Sequence, residues 1–392
     1  MPFPRRLKPQ VILLGLISLL NDTASEMIFP LLPLFLTSFA GATPMIVGMI
    51  EGSADALSSI LKLVAGWWSD RVPARKPFII LGYGFATISR YFIAIAHSWH
   101  AVFFARMFDR TGKGMRSAPR DAVIADVTPP EERGRAFGFH RAMDHSGAVI
   151  GPLIAALLLA RGMTLRHLFM VSVIPGLIGV ILLLFFLSEP KRVIKPREIR
   201  ETEAPRRLPT TIRGPLLSIA LFYLANSSDV FLLLQATAAG VAAKWLPLMW
   251  SAHHLIKALF STAAGSLSDR TDRRYMLIAG WSSYALIYFL FPFSHSLGFF
   301  FFLFIAYAIP FTLAEGTERA WMAGFVSSDL RGRALGTYYL IVGFATLAGT
   351  ALFGWIYQYV SHTVAFRVGG AIALVAALSV ALQLRRGMPM EN

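Results

Sequence analysis

Acidic side chains occur inside apolar stretches of this chain, where ionisable groups are costly and usually functional. Asp22 and Glu26 are four residues apart in one such stretch, so they share one face of a helix. Two carboxylates one turn apart repel each other, so we expect the pair to titrate as one coupled unit. Asp229 occupies a similar position in the second half of the chain. These three residues are the predicted sites of proton coupling.

A basic stripe marks another apolar stretch, residues 99–125. It contains Arg106, Asp109, Arg110 and Lys113. At about 100° per residue these side chains, with the charged residues that follow them, fall within a helical sector of roughly 140°. One charged face on an otherwise apolar helix predicts a substrate with an anionic group, such as a small organic acid, a phosphate-bearing compound or a siderophore-like chelate.

Other ionisable and amide side chains in apolar stretches extend this set. The residues predicted to line a substrate cavity are Asn21, Glu51, Asp55, Arg106, Asp109, Arg110, Lys113, Asn226, His254, Glu315 and Arg319. The alternative for any single pair is structural, because acids and bases can neutralise each other between helices and fix their packing. So many charges in two similar halves favour a polar cavity instead.

The elements that must position these residues are membrane spans. The chain has 392 residues, of which 55% are hydrophobic and only 15% charged, against about a quarter charged in soluble domains. In lipid a lone chain satisfies its backbone hydrogen bonds as helices, each needing roughly 20 residues. The predicted spans are 11–36, 45–67, 78–96, 99–125, 136–160, 167–187, 214–237, 245–266, 275–294, 298–324, 336–359 and 364–384.

Lysine and arginine are distributed unevenly between the two sets of connecting segments. With the N-terminus in the cytoplasm, that side holds 23 of them and the other side holds three, Arg161, Arg166 and Lys244. Such an excess marks the cytoplasmic side. We therefore predict an integral protein of the bacterial inner membrane with both termini cytoplasmic. Topology and anionic lipid headgroups explain the net charge of +15, so no nucleic-acid partner is expected.

The sequence contains an internal repeat. Gly66-x-x-x-Asp70-Arg71 returns as Gly265-x-x-x-Asp269-Arg270, 199 residues later, and two further short matches recur at 198. Ordered matches at one spacing indicate a duplicated unit. The predicted domains are an N-terminal six-helix half (1–187), a cytoplasmic linker (188–213) and a C-terminal six-helix half (214–392).

Twelve spans, the six-plus-six repeat, the basic central loop and the repeated Gly-x-x-x-Asp-Arg motif resemble the major facilitator superfamily along essentially the whole chain. The first copy departs from the family pattern at Pro73 and Ala74. The resemblance implies an all-α fold of two pseudo-symmetric halves and transport by alternating access. It also implies a cytoplasmic salt-bridge gate formed by Asp70, Arg71, Arg75, Asp269 and Arg270.

A glycine motif bears on transport direction. Gly147-x-x-x-Gly151-Pro152 looks like the family motif associated with antiporters and exporters, although Ala155-Ala156 stands where a glycine pair often follows. The resemblance favours export. Small residues four positions apart also indicate close helix packing, which is independent of direction.

The function that these observations predict is secondary active transport of a small polar solute coupled to protons. The sequence contains no phosphate-binding Gly-x-x-x-x-Gly-Lys-Ser/Thr loop, and we expect a monomer in the lipid bilayer without a cofactor or resident metal. One alternative is transport of a metal ion or chelate, because His140, Asp144, His145, His253 and His254 could supply ligands, though without a strict spacing. The other is a membrane-embedded enzyme, since His140-x-x-x-Asp144 lacks only one intervening residue of an acyltransferase pattern.

Overall fold

The computed structural model describes residues 7–69, 72–129, 133–189, 208–294, 296–325 and 331–385. Within these ranges the chain forms α-helices and short 3-10 turns and no strand. The helices are α1 (Pro9–Ile28), α2 (Leu32–Ser38), α3 (Pro44–Ser69), α4 (Lys76–Ile95), α5 (Trp99–Val127), α6 (Arg133–Ala160), α7 (Leu165–Phe186), α8 (Arg213–Ala225), α9 (Val230–Ala238), α10 (Leu246–Arg270), α11 (Arg273–Leu290), α12 (Leu297–Ala306), α13 (Ala308–Ala323), α14 (Arg331–Tyr359) and α15 (His362–Arg385). They fall on the predicted spans, and the predicted all-α fold is confirmed.

Three of the predicted spans are interrupted helices. A 3-10 turn at Phe29–Leu31, which contains a proline, separates α1 from α2. Residues 226–229 separate α8 from α9, and Tyr307 separates α12 from α13. Backbone groups freed by such breaks are tolerated at membrane depth only where protein or a polar cavity surrounds them. Two of the breaks lie beside Glu26 and Asp229, two of the predicted coupling carboxylates.

Nine helical stretches among the described residues are long and apolar enough to cross a membrane. Apolar side chains on their outward faces remain exposed, as expected for surfaces that contact lipid. Helix α7 illustrates this with a stripe at helical spacing formed by Ile174, Leu177, Ile178, Ile181, Leu184 and Phe185. Helices α3, α5 and α10 are not among the nine, and each carries several of the predicted polar site residues. The protein is therefore an integral membrane protein.

The chain packs as two compact units. Unit 1 comprises Met1–Gly41, Leu57–Pro196 and Ala242–Ser251, and unit 2 comprises Ala42–Ala56, Arg197–Val241 and Ala252–Asn392. Each unit thus includes the first turns of a helix whose remainder belongs to the other unit, α10 for unit 1 and α3 for unit 2. The predicted linker falls largely on residues 190–207, which lie outside the described residues, so its boundaries stay a prediction.

The repeat is visible in matching helix contacts inside each unit. In unit 1, a Cβ added at Gly82 of α4 would lie 2.6 Å from the carbonyl oxygen of Gly112 on α5. In unit 2, a Cβ added at Gly280 of α11 would lie 3.2 Å from the carbonyl oxygen of Pro310 on α13. Both residues of the second contact follow their counterparts by 198 positions. At this pair of positions, the duplicated sequence therefore folds into duplicated packing.

Candidate functional site

The polar face of α1 begins with a buried amide. Asn21 donates through Nδ2 to Oδ1 of Asp22 at 3.0 Å. Its own Oδ1 and carbonyl oxygen accept hydrogen bonds from Nη2 of Arg90 on α4 at 2.7 and 3.1 Å. Arg90 is only 2% exposed. Our sequence reasoning missed Arg90, although an arginine inside the apolar span 78–96 is the same signal that identified the other site residues.

Arg90 is accommodated by the absence of a side chain on α7. A Cβ added at Gly176 would lie 2.6 Å from Nη1 of Arg90 and 2.8 Å from Oγ1 of Thr87. Among the described residues, Nε and Nη1 of Arg90 have no hydrogen-bond partner. Burying a guanidinium with unpaired donors costs free energy. The hydrogen bonds from Arg90 to Asn21, which itself donates to Asp22, offset part of that cost.

Helix α5 carries a buried group of charges. Nη1 of Arg106 and Nη1 of Arg110 each lie 3.3 Å from the same oxygen, Oδ2 of Asp109. Arg110 and the exposed Lys113 also interact electrostatically with Glu26 on α1. The structure therefore brings the predicted basic stripe and a predicted coupling carboxylate to one region of unit 1.

Two further arginines continue the stripe on α5. Arg116 is buried, donates to the carbonyl oxygen of Gly82 at 3.2 Å and lies 4.5 Å above the ring of Tyr83. Arg120 pairs with Asp121 at 2.9 Å. The contacts of Arg116 bind α5 to α4, and Arg120 also donates to Oγ of Ser18 on α1 at 3.4 Å, so we assign these two arginines to packing.

Glu26 ends the polar face of α1 at the helix break. Its Oε2 accepts a hydrogen bond from Nε1 of Trp250, at 2.7 Å. The ring of Trp250 packs on Phe29 with centroids 4.9 Å apart, and Oγ of Ser251 donates to the carbonyl oxygen of Val149 on α6 at 3.0 Å. The first turns of α10 are thus held on unit 1 by a carboxylate that the sequence predicts to carry protons.

Asp229 occupies the corresponding break in unit 2. Its Oδ1 accepts a hydrogen bond from the hydroxyl of Tyr307 at 2.8 Å, and it interacts electrostatically with Lys257 and Asp55. Tyr307 stacks on His253 with centroids 5.6 Å apart. Both members of the Asp229–Tyr307 pair lie at helix breaks, where the interrupted backbone gives side chains room to pair.

Aromatic side chains pack around Asp229 and Tyr307. Tyr284 and Tyr288 stack at 4.2 Å, and Tyr307 packs on Phe311 at 5.0 Å. The hydroxyls of Tyr288 and Ser227 lie 3.3 Å apart. Unit 1 therefore presents arginines where unit 2 presents tyrosines, and the repeat is symmetric in backbone but not in chemistry.

A second buried carboxylate in unit 2 stands at the repeat position of Arg120. Oε2 of Glu318 accepts hydrogen bonds from the hydroxyls of Tyr223 and Tyr338, both at 2.9 Å, and Oε1 accepts from Nε1 of Trp281 at 3.2 Å. Three neutral donors thus surround a carboxylate that is 1% exposed. This cage joins α8, α11, α13 and α14 and explains how an acid is tolerated there.

The remaining predicted cavity residues fall in unit 2. Glu51 is buried on α3, Asn226 lies in the helix break, and Asp55, His254 and Arg319 are half-buried. Glu315 lies on α13, and its side chain is outside the described part of the chain. Asn21, Arg106, Asp109, Arg110 and Lys113 belong to unit 1. Their shared role in binding stays a prediction.

Only part of the predicted gate is described. Asp70 and Arg71 lie outside the described residues. Asp269 and Arg270 are the last residues of α10, and the structure does not describe their side chains. Arg75 is buried, and its Nη1 pairs with Oδ2 of Asp126 near the end of α5 at 2.5 Å. The motif loop is therefore tied to α5 within unit 1.

The helices that follow the two copies of the motif loop are capped in different ways. At the start of α4, the carboxylate of Glu189 accepts from the backbone N–H groups of Arg75 and Lys76 at 2.7 to 2.9 Å. At the start of α11, the N-cap residue Asp272 accepts from the backbone N–H of Arg274 at 3.0 Å. Hydrogen bonding from the Arg274 side chain lowers the pKa of Asp272.

The histidine and acidic residues considered for other functions have structural partners. Nδ1 of His140 lies 3.5 Å from Oδ2 of Asp144, and Ser18 donates to the other oxygen of that carboxylate. His253 packs among aromatic rings. Within the described ranges, no three His, Asp or Glu side chains converge as a metal site would require.

The glycine motif of α6 makes close helix contacts. A Cβ added at Gly147 would lie 2.6 Å from the carbonyl oxygen of Leu19 on α1, and one added at Gly151 would meet the carbonyl oxygen of Thr23. The repeat counterpart, Gly349 of α14, meets the backbone of α8 in the same way. Close packing against the helix with the polar face is the structural role of this motif.

Comparisons with known proteins agree with this architecture. The family model of the Major Facilitator Superfamily matches residues 14–252 and 217–390. An uncharacterized MFS-type transporter of Methanocaldococcus jannaschii is 30% identical over 389 residues, covering 95% of this chain and 94% of that protein. The fosmidomycin resistance protein of Escherichia coli is 27% identical over 293 residues, covering 70% of each chain.

Among solved structures, the fold is similar to a bacterial homolog of the human lysosomal transporter Spinster in an inward-facing and occupied conformation. The TM-score is 0.76 at 17% identity, with 96% of each chain covered. These proteins are transporters, so the enzyme alternative is set aside. From the family match, the sequence relatives and the helical fold together, the chain belongs to the Major Facilitator Superfamily of membrane transporters.

Proposed function

We propose that this transporter is a proton-coupled exporter of a small organic solute with anionic or zwitterionic character, working by alternating access. The observation that carries the proposal is the charge arrangement on α5. Arg106 and Arg110 both pair with the carboxylate of Asp109, and Arg110 and Lys113 are within electrostatic reach of Glu26, so this face of α5 concentrates cationic side chains in a region of low dielectric. An anion is the ligand that such a group binds most favourably.

Proton coupling is proposed for Asp22, Glu26 and Asp229. Glu26 and Asp229 lie beside helix breaks, where coupling ions bind in many transporters. Glu26 is within electrostatic reach of Arg110 and Lys113, so binding of an anion to those cations changes the cost of a charge on Glu26. That mutual influence links substrate occupancy to protonation.

The direction and setting of transport are proposed from a glycine motif, a relative and the distribution of basic residues. The motif Gly147-x-x-x-Gly151-Pro152 resembles that of exporters, and one relative is named for resistance to fosmidomycin. The excess of lysine and arginine on one side favours the inner membrane with both termini in the cytoplasm. The gate at Asp70, Arg71, Arg75, Asp269 and Arg270 is then cytoplasmic, and we expect a monomer.

Transport in proteoliposomes tests the proposal. The purified protein is first screened by thermal shift against organic acids, phosphate esters, metals, cations and fosmidomycin, because a ligand of the native state raises the melting temperature. Uptake of the best ligand is then measured with and without a pH gradient in the native protein, Arg110→Gln and Glu26→Gln. Arg161→Gln, which removes an exposed arginine of unit 1, is the matched control.

The expected results separate the two parts of the proposal. Arg110→Gln weakens anion binding roughly tenfold or more, since a charge-assisted contact contributes about 1.5–3 kcal/mol, and Arg161→Gln leaves it unchanged. Glu26→Gln loses gradient-driven accumulation and retains exchange of the solute. Unchanged or tighter binding to Arg110→Gln would favour a cationic or metal substrate. Full proton-driven transport by Glu26→Gln would remove this residue from the coupling mechanism.

A further inference from the structure

A groove on the outer face of unit 1 lies where α4 turns into α5. Its volume is about 690 Å³, within the range of about 300–1,000 Å³ typical of small-molecule sites. Its lining includes the small side chains of Ala101 and Ala105 on α5 and the rings of Phe104 on α5 and Phe92 on α4. The α5 residues Ala101, Phe104, Ala105 and Phe108 recur at intervals of three or four positions around the helix, so the groove lies along one face of α5.

The groove opens toward the surroundings of the protein. Phe104 is 69% exposed and Phe92 is 48% exposed, whereas Ala105 is 4% exposed. An exposed apolar wall on a membrane-spanning helix faces acyl chains. The apolar group available to fill such a groove is therefore a hydrocarbon chain.

One end of the groove adjoins the guanidinium of Arg166. His97 lines this end at the α4–α5 turn. Nη2 of Arg166, from the start of α7, lies 3.4 Å from Nδ1 of His97, and Nη1 donates to the carbonyl oxygen of Ala94 at 3.1 Å. Among the described residues, Arg166 pairs with no carboxylate. Its guanidinium also lies 5.4 Å from the centre of the Phe35 ring, and it is one of only three lysines or arginines on its side of the predicted topology.

We propose that this groove binds an acyl chain of an anionic phospholipid, with the lipid phosphate against Arg166 and His97. The apolar groove and the guanidinium of Arg166 adjoin each other at a helix end, which is the geometry that a chain attached to a phosphate requires. Arg166 uses two nitrogens in the contacts described and can offer its other N–H groups to phosphate oxygens, for which guanidinium geometry is well suited. The N-terminus of α5, which begins at Trp99, adds a favourable dipole at the same end of the groove.

The test compares two lipids with the same acyl chains. Phosphatidylglycerol and phosphatidylcholine are each titrated into the full-length protein in detergent, and bound lipid is counted by native mass spectrometry beside a melting curve. The variants are Arg166→Gln, Arg166→Lys and the groove-filling Ala101→Phe. Arg161→Gln, which removes another arginine on the same side, is the matched control.

The native protein and Arg161→Gln are expected to prefer phosphatidylglycerol, and Arg166→Lys is expected to keep most of that preference. Arg166→Gln should reduce it about fivefold, since one basic residue contributes about 1 kcal/mol to binding of anionic lipid. Ala101→Phe should weaken both lipids. Equal binding of the two lipids to the native protein, or an unchanged preference in Arg166→Gln, overturns the proposal. If Arg166→Gln does not fold, the native comparison and Ala101→Phe still decide it.

Discussion

Glu26 and Trp250 form the contact with the clearest consequence for coupling. The indole N–H is held on a carboxylate at a helix break, and the pair joins residues 224 positions apart. Trp250 is 4% exposed, so water cannot easily replace the bond. Any change in the charge of Glu26 alters the strength of this bond, because hydrogen bonds to charged groups are the stronger ones. The attachment of the first turns of α10 to unit 1 then depends on proton occupancy.

This dependence can be tested by substituting one ring for another. Trp250→Phe keeps an aromatic ring beside Phe29 and removes the N–H donor. We expect the free energy of unfolding to fall by about 1–3 kcal/mol, because a half-buried carboxylate loses its hydrogen-bond donor. We also expect the pH profile of transport to shift. Melting curves and proteoliposome transport at a series of pH values measure both effects.

The control is Trp245→Phe, five residues earlier in the same segment. Trp245 is 45% exposed and contacts Lys244, so its replacement should change neither quantity appreciably. If both variants keep the native pH profile, the Trp250–Glu26 contact has no part in coupling.

The positions of the acidic residues could be predicted from sequence, but their partners could not. Asp22 and Glu26 share a face because both belong to one helix, whose periodicity is a local property. The Arg90–Asn21 bond joins residues 69 positions apart, and helix packing decides it. For the same reason, reading single spans gave no sign that unit 2 surrounds Asp229 with tyrosines.

At the scale of the helix, the start of α4 shows how a missing local cap is replaced. In the second copy of the motif loop, Asp272 caps α11 directly. The residue 198 positions earlier is Ala74, which has no acceptor. Glu189, which follows the C-terminus of α7, supplies the carboxylate to the N–H groups at the start of α4 instead. In a second contact between the same segments, Nζ of Lys76 donates to the carbonyl oxygen of Leu187 at 2.7 Å.

The repeat suggests a rescue experiment for this cap. Glu189→Ala should lower the free energy of unfolding by about 1–2 kcal/mol, the usual range for loss of an N-terminal cap. Adding Ala74→Asp should restore much of that loss, because Ala74 is exposed and Asp272 shows that a carboxylate at this position reaches the helix start. Melting curves of both variants and of Ala74→Asp alone provide the double-mutant cycle.

One outcome of this double-mutant cycle would contradict the prediction that Glu189 and Asp at position 74 cap the same helix. If Ala74→Asp stabilises the native protein and Glu189→Ala equally, the two carboxylates do not serve the same N–H groups. The distant cap was not foreseen from the sequence, since the departure at Pro73 and Ala74 was visible but its compensation lies more than a hundred residues away.

At the scale of the whole molecule, the two units share a backbone plan and differ in chemistry. Matching contacts at Gly82 and Gly280 show the shared plan. The arginines of α5 in unit 1 and the tyrosines around Asp229 in unit 2 show the difference. The fold could be predicted because the repeat and the apolar spans are both features of the sequence itself. The site could be predicted only in part, because the side chains that contact the acidic residues differ between the two units and come from distant parts of the sequence.

Helix α10 is the most demanding test of the twelve-span topology. It is not among the stretches apolar enough to be recognised as spans, and its first turns pack in unit 1 while the rest belongs to unit 2. Because the chain has no cysteine, single cysteines can mark its two ends. Ala239 and Thr271 flank the helix and are both exposed.

We expect a membrane-impermeant maleimide to label Ala239→Cys in intact cells and Thr271→Cys only after permeabilisation. The reason is the 23-to-3 distribution of lysine and arginine, in which Thr271 stands next to Arg270 and Arg273 on the basic side. Labelling of both positions from the same side would mean that α10 does not cross the bilayer. The reverse pattern would keep the span but invert the protein, placing the Arg75–Asp126 pair outside and removing the argument for a cytoplasmic gate.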